Sequence, residues 1–97
     1  SLETIVEKTS HNVAKRFQVK DRGYIREGYY ADLAILDINN SYSVSKENIL
    51  YKCGWSPFEG KTFNSSIYMT IVNGYIAFKG NKINRDLPNG MQIEFDR

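Results

Sequence analysis

The feature that most restricts the fold is an Asn-Gly pair at positions 73–74, placed between two β-prone runs. Residues 67–72 alternate Ile, Met and Ile with Tyr, Thr and Val, and residues 75–78 read Tyr-Ile-Ala-Phe. Asn-Gly between such runs is the strongest short-range signal for a β-hairpin closed by a two-residue type I′ turn. The sequence therefore predicts an antiparallel hairpin over residues 67–78.

The N-terminal residues follow a helical period instead. One stripe carries Leu2, Ile5, Val6, Thr9, Val13 and Phe17. Acidic residues come early and basic ones late, which suits the helix dipole, so we predict a helix over 2–17. Ser10-His11-Asn12 is a weak point, because Asn12 can cap a new start at Val13. One helix or two short ones are both open.

Two strands are predicted between the helix and the hairpin. Tyr24-Ile25 lies between turn signals at Arg22-Gly23 and Glu27-Gly28. The apolar run 33–36, bounded by Asp32 and Asp37, is typical of a strand buried on both faces.

Shorter elements are predicted around these strands: an extended piece at 42–44, a short helix capped by Ser45 and running to Leu50, a turn at 88–90 and a last strand at 91–95. Together they give an α+β chain, mostly β, with the helix stacked on a β-sandwich-like layer.

Length and charge narrow the class further. The 97 residues suffice for one small domain, and 41% hydrophobic with 25% charged residues is ordinary for a folded protein. The 13 basic and 11 acidic residues are interspersed, which gives nucleic-acid binding little support. No apolar stretch approaches the roughly 20 residues of a membrane span. A single cysteine cannot form an internal disulfide, so we expect a cytoplasmic protein.

Few residues are candidates for chemistry. A catalytic zinc site takes about three protein ligands, and His11 has no His or Cys at ligand spacing, so we interpret it as a polar helix residue. Cys53 could act as a nucleophile only with a base, and His11 is the only imidazole; a small buried thiol is favoured. Asp32, Asp37 and Glu59 are possible acids or bases, but turn and cap roles are favoured for the two aspartates.

The segment Trp55–Gly60 combines a loop composition with two large aromatic residues. Trp55 and Phe58 either seal the base of a domain interface, which we favour, or form an exposed anchor for a partner. From these residues we predict no catalytic, cofactor-binding or metal-binding residue.

Three motifs resemble those of cyclic amidohydrolases. Residues 23–37 are similar to a Gly-x-Ile-x-x-Gly-x-x-Ala-Asp-Leu-x-x-x-Asp segment, and residues 10–17 resemble Ser-x-Asn-Pro-Ala-x-x-Phe, with Val13 in place of the proline. Residues 70–74 resemble a Thr-x-Val-Asn-Gly hairpin. The loop 52–60, Lys-Cys-Gly-Trp-Ser-Pro-Phe-Glu-Gly, is similar to the loop of dihydroorotases, and hydantoinases and allantoinases have related versions.

This resemblance implies a zinc enzyme of pyrimidine biosynthesis that interconverts carbamoyl aspartate and dihydroorotate. In that family the metal ligands and the catalytic Asp lie on a TIM barrel, which needs roughly 250 residues, so none maps onto this chain. It also implies that residues 1–18 are a helical segment following the barrel and that residues 19–97 are a C-terminal β-rich domain, normally completed by N-terminal strands.

The start on Ser1-Leu2, without Met and inside a helical pattern, favours an excised piece of a longer chain. Its expected partners are then its own barrel and N-terminal strands. The longer protein is expected to act on a small-molecule substrate, homo-oligomers are possible, and we expect it to bind neither nucleic acid nor membrane. Without the partner strands, the isolated chain is expected to self-associate or swap strands. A stand-alone β-rich binding module and the tail of a hydantoinase or allantoinase are the alternatives.

Overall fold

The computed structural model describes residues 1–88 and 90–97 and shows an α+β chain that is mostly β, as predicted. The helices are α1 (Leu2–Val6) and α2 (Asn12–Phe17), joined by a π-helical turn (Glu7–His11). The strands are β1 (Leu33–Asp37), β2 (Tyr42–Ser43), β3 (Thr62–Phe63), β4 (Ser66–Val72), β5 (Tyr75–Lys79) and β6 (Lys82–Ile83). The predicted turn at 88–90 includes Asn89, which lies outside the described residues.

The helical segment is continuous, and its predicted weak point is a π turn. Ser1 caps the start, where its hydroxyl accepts a hydrogen bond from the Thr4 amide at 3.3 Å. Asn12 has ordinary helical dihedrals, and its amide donates to the Glu7 carbonyl, five residues back. The Asn12 amide therefore closes a π-helical turn, which holds one residue more than an α-helical turn. Asn12 does not cap the start of a second helix. The helix ends at Gln18, whose left-handed φ of 55° turns the chain away.

A four-stranded antiparallel sheet, in the order β1-β4-β5-β6, dominates the rest of the chain. The β4–β5 hairpin is confirmed, and Asn73 and Gly74 have φ of 49° and 83°, the pair of positive values that a type I′ turn requires. A second hairpin joins β5 to β6 through Gly80 and Asn81, both also at positive φ. Gly-Asn between two short runs is a hairpin signal, although β6 is absent from the elements predicted above.

Strand β1 forms as predicted, but its predicted burial is wrong. It lies at one end of the sheet, and the exposed fractions of Ile35 and Leu36 are 38% and 42%. Among the described residues, no strand pairs with its outer side. The apolar run that is typical of a two-sided buried strand is therefore left partly in solvent.

The short strand predicted at 24–25 is wrong. Those residues form bends, and Ile25 is 90% exposed. Gly23 and Gly28 on either side both have positive φ and turn the chain, and no described strand lies alongside to pair with it. The strand predicted at 91–95 is also wrong in extent, because only Phe95 makes a bridge, to Val19.

A small two-stranded ribbon, β2 with β3, makes the second sheet. β2 confirms the extended piece predicted at 42–44. The predicted cap at Ser45 is confirmed as well, but the helix that follows is a single 3₁₀ turn, Lys46–Asn48. The Ser45 amide donates a hydrogen bond to the Asn48 side-chain oxygen at 3.0 Å, which completes a capping box.

The predicted stacking of the helix on the β layer is wrong, because the helical segment packs on neither sheet. Its close contact is with the loop after it, where an added Cβ on Gly23 would lie 2.5 Å from the Ala14 Cβ. Ala14 is the one buried apolar side chain among the described residues. No described helix has the length and apolar content needed to cross a membrane.

The chain exposes far more surface than a compact protein of its mass. Its accessible surface is 7941 Å², against about 5,700 Å² expected for 11.2 kDa. Its radius of gyration is 15.2 Å, against about 12.5 Å for a compact chain of this length. The strands and helices are therefore in place, but the apolar faces they carry are not buried against each other.

Candidate functional site

The best-ordered polar cluster is built around Arg22. Its guanidinium Nε donates to the Asp32 carboxylate at 2.8 Å, and its two terminal nitrogens donate to the carbonyls of Met91 and Gln92 at 2.8 and 3.3 Å. The guanidinium carbon lies 4.2 Å from the ring centroid of Tyr30. Only 10% of the Arg22 side chain is exposed. The three hydrogen bonds described here all bind other parts of the same chain, so the role of Arg22 is structural.

Asp32 joins this cluster to the β4–β5 hairpin. Its second carboxylate oxygen accepts the Asn73 amide at 2.7 Å, at the first residue of the I′ turn. The hydrogen bond from Arg22, joined by the one from Asn73 and by the charge of Arg22, holds the pKa of Asp32 below its ordinary value, against a smaller opposing effect of burial. Asp32 is thus a fixed anion that orients backbone and is unsuited to taking up a proton near neutral pH.

The other predicted acid and base candidates are separate from this cluster. Asp37 accepts the Asn39 amide at 3.1 Å, which confirms the turn role that the sequence favours. Glu59 lies exposed in the loop 52–60.

His11 packs as a flat ring. It stacks on Tyr24 with ring centroids 4.1 Å apart and an interplanar angle of 11°, and Arg26 lies 4.1 Å from the centroid of the same tyrosine. Across residues 1–88 and 90–97, no three His, Cys, Asp or Glu side chains come together as a metal site. The donors present therefore do not fit a catalytic zinc ion.

Cys53 is exposed, so the predicted buried thiol is wrong. Its sulfur lies 3.8 Å from the Trp55 carbonyl oxygen within the same loop. The loop 52–60 projects from the ribbon with nothing described above it, which leaves the thiol in solvent.

Loop 52–60 has a defined backbone despite its exposure. The Gly60 amide donates to the Val44 carbonyl at 2.8 Å and the Lys61 amide to the Phe58 carbonyl at 2.8 Å. The Phe58 ring meets Phe63 edge to face at 6.0 Å. Yet Trp55 is 61% exposed and Phe58 51% exposed. The ribbon thus presents two aromatic side chains outward on a fixed loop.

An open apolar groove of about 680 Å³ lies between the ribbon and the large sheet. Its apolar lining comes from both sheets and the segment between them: Leu36, Tyr42, Leu50, Phe63, Ile67 and Phe78. The groove has the composition of a packing surface.

The sequence did not indicate Arg22, whose side chain donates three hydrogen bonds to residues ten or more positions away. The signal available was the pattern of an Arg-Gly turn ten residues before an Ala-Asp-Leu strand start. The two carbonyls that Arg22 binds lie about seventy positions away in sequence, and no local pattern indicates them.

The match to known sequences identifies the class. A sequence model of the amidohydrolase family matches residues 1–78, and the chain belongs to that family. The matched span includes the helix, the Arg22–Asp32 pair, loop 52–60 and the β4–β5 hairpin.

Individual relatives are dihydroorotases and allantoinases. The chain is 42% identical over 79 residues to a dihydroorotase of Endomicrobium trichonymphae, which covers 81% of this chain and 19% of that protein. It is 35% identical over 82 residues to an allantoinase of Desulfitobacterium hafniense, covering 84% and 18%. A dihydroorotase of Pyrococcus abyssi is 35% identical over 79 residues, covering 81% and 19%. The chain thus spans about a fifth of the length of these relatives.

Proposed function

We propose that this chain is the C-terminal, non-catalytic portion of a dihydroorotase, a zinc hydrolase that interconverts N-carbamoyl-L-aspartate and (S)-dihydroorotate in pyrimidine biosynthesis. In this proposal residues 1–18 follow the barrel, and residues 19–97 form a β-rich domain beside it. The zinc belongs to the barrel, because the donors of the described residues do not fit a zinc site.

The observation that carries the proposal is the fixed but uncovered loop 52–60. Its sequence resembles the corresponding loop of dihydroorotases, its backbone is hydrogen-bonded, and both of its aromatic side chains are exposed. Two exposed aromatic side chains on one loop support an interface role, and the barrel of the same protein would be their partner. The lone cysteine, exposed in this loop, suits a reducing cytoplasm.

The function that follows for the chain is scaffolding. It would bury part of its excess surface against the barrel and its N-terminal strands, and so hold barrel and small domain together. Substrate contact and catalysis would belong to the longer protein.

An allantoinase-type activity is the second candidate, since two allantoinases match a segment of 82 residues at 35% identity. Both candidates are cyclic-amide hydrolases, so the chemistry of this chain's own residues does not separate them. The substrate preference of the longer protein would separate the two candidate activities.

The test uses the longest protein that the native gene encodes around this chain, purified with its metal. We expect hydrolysis of dihydroorotate with kcat/KM at least tenfold above that for allantoin or hydantoin. A Trp55→Ala variant should lower thermal stability, because it removes an interface side chain, and Ile25→Ala, at an exposed loop position, is the matched control. Preference for allantoin, or a gene lacking a barrel-length stretch with a His-x-His pair, would overturn the proposal.

A further inference from the structure

We propose that the C-terminal tail (residues 90–97) is a strap that joins the end of the helical segment to the β4–β5 turn, and that tail and turn open together as one cooperative unit. One end of the tail pairs with the residues at which the helix stops. The Lys20 amide donates to the Glu94 carbonyl at 2.9 Å, and the Asp96 amide donates to the Gln18 carbonyl at 2.8 Å. The tail is therefore fixed by backbone hydrogen bonds where the chain leaves the helix.

The other end of the tail lies beside the β4–β5 hairpin. An added Cβ on Gly90 would lie 3.0 Å from Cγ1 of Val72, the last residue of β4. Between the two ends, the carbonyls of Met91 and Gln92 accept hydrogen bonds from the two terminal nitrogens of Arg22 at 2.8 and 3.3 Å. The tail thus runs from the hairpin to the end of the helix, with Arg22 bound to it on the way.

Two planar side-chain groups connect the tail to the turn. A guanidinium holds its donors in a fixed plane, so the tail, by binding the terminal nitrogens of Arg22, also sets the direction of Nε. That nitrogen donates to one carboxylate oxygen of Asp32 at 2.8 Å, and the other oxygen accepts the Asn73 amide at 2.7 Å. The position of the tail is therefore transmitted through Arg22 and Asp32 to the first residue of the turn.

The burial of Arg22 makes these contacts depend on one another. Its side chain is only 10% exposed while the tail is bound. When the tail lifts, the cation loses two acceptors at once and water reaches its pair with Asp32, which weakens the pair because exposed ion pairs contribute little. The Asn73 amide then loses a fixed acceptor. The tail lies beyond residues 1–78, the span matched to the family, and the coupling does not rest on the proposed enzymatic function.

Hydrogen exchange read at single residues by mass spectrometry tests the coupling, in the longest protein that the native gene encodes around this chain. Asp96→Pro removes a tail hydrogen bond in which neither Arg22 nor the turn takes part. We expect the amides of Lys20 and Asn73 both to exchange about tenfold faster, because one local opening exposes both. The Asn84 amide, which is hydrogen-bonded at the β5–β6 hairpin, is the internal control and should keep its rate.

Arg22→Met tests the connection itself, because it removes all three hydrogen bonds of the guanidinium. It should speed exchange at the same two amides, and Asp96→Pro added to it should have no further effect on Asn73. Arg26→Met is the matched control, since Arg26 also lies over a tyrosine ring but its side-chain hydrogen bond stays within its own loop. This control should leave both rates unchanged.

Three results would overturn the proposal. Faster exchange at Lys20 with an unchanged rate at Asn73 in Asp96→Pro would show that tail and turn open separately. Unchanged rates at both amides would show that the tail does not control either opening. Equal acceleration of Asn84 would show a general loosening of the fold instead of one shared unit.

Discussion

Gly23 is the residue at which helix and loop approach most closely. An added Cβ would lie 2.5 Å from the Ala14 Cβ and 3.1 Å from the Ser10 carbonyl oxygen, and the backbone has a φ of +87°. Only glycine adopts this positive φ without strain and also leaves room for Ala14 and Ser10. The π turn lies beside this contact, so the unusual helix geometry and the glycine occur at one place.

Replacement of Gly23 by alanine should therefore destabilise the chain by about 2–5 kcal/mol, combining roughly 1–2 kcal/mol for the left-handed conformation with overpacking of about 1–3 kcal/mol. Gly28→Ala is the matched control, because its φ is +86° with nothing within 4 Å of the added Cβ. Urea unfolding at one fixed chain concentration gives both values. Equal losses would show that the contact with Ala14 has no energetic effect.

Asp32 gives the chain a pH dependence that can be assigned a direction. Its folded-state pKa lies below the ordinary value, chiefly through the hydrogen bond from Arg22. A lowered pKa stabilises the folded state above the unfolded-state value of about 4, and this contribution is lost as pH falls through the lower folded value.

Asp32→Asn should lower the free energy of unfolding at pH 7 by about 1–3 kcal/mol, since Arg22 loses a charged acceptor. It should also reduce the difference in stability between pH 7 and pH 3. Glu27→Gln, at an exposed position in the same loop, is the control. A stability difference between the two pH values as large in Asp32→Asn as in the wild type would contradict this role.

The sequence predicted Asp32 and Asp37 as structural residues because each borders an apolar run, and the structure confirms that assignment. It did not predict the exposure of Cys53. Burial of a loop residue depends on what covers the loop, and a local pattern carries no information about a covering surface.

At the scale of elements, the C-terminal tail (residues 90–97) has pairing partners that no local pattern in the sequence indicates. It lies beyond the segment matched to the family, yet it pairs with residues 18–20: the Lys20 amide donates to the Glu94 carbonyl at 2.9 Å and the Asp96 amide to the Gln18 carbonyl at 2.8 Å. Arg22 holds two more tail carbonyls. The tail therefore fixes the chain just after the helix.

Removal of residues 90–97 should leave the Lys20 amide without its acceptor, and its hydrogen-exchange protection should fall at least tenfold. The adjacent Val19 amide is an internal control, since it donates to the Ala14 carbonyl at 2.9 Å and should keep its protection. Exchange measured by NMR reports both amides in one experiment. Unchanged protection at Lys20 would mean that the tail contact is not maintained in solution.

Elements with local determinants were the predictable ones. The Asn73-Gly74 turn and the cap at Ser45 depend on neighbouring residues, and both form as predicted. The strand at 24–25 and the full strand at 91–95 depend on partners elsewhere in the chain. Among the described residues the first has no partner strand and the second is paired only around Phe95, which period alone does not indicate.

On the scale of the whole molecule, the class α+β was predictable from the change of period near residue 19, but the open packing was not. Composition indicates how much apolar surface a chain carries, but it does not indicate whether the apolar side chains are buried against one another. Here Ala14 alone is buried among the described residues. Most of the large apolar side chains instead remain partly exposed.

The isolated 97-residue chain should not hydrolyse dihydroorotate, with or without added zinc. The lone histidine is stacked on Tyr24, and Asp32 is held by Arg22, so neither is placed to act with a metal. A spectrophotometric assay across a gel-filtration profile checks this. Turnover above the buffer blank that follows the protein peak would contradict it, and the longer native protein assayed in parallel is the positive control.

The scarcity of buried side chains also has a thermal consequence. Heat capacity rises on unfolding because apolar groups become hydrated, by about 12–15 cal/mol/K per residue in ordinary domains. In this chain many of those groups are already about half exposed. Calorimetry of a dilute sample should therefore show a broad, shallow endotherm with a much smaller heat-capacity step per residue, and folding that weakens only gradually on warming.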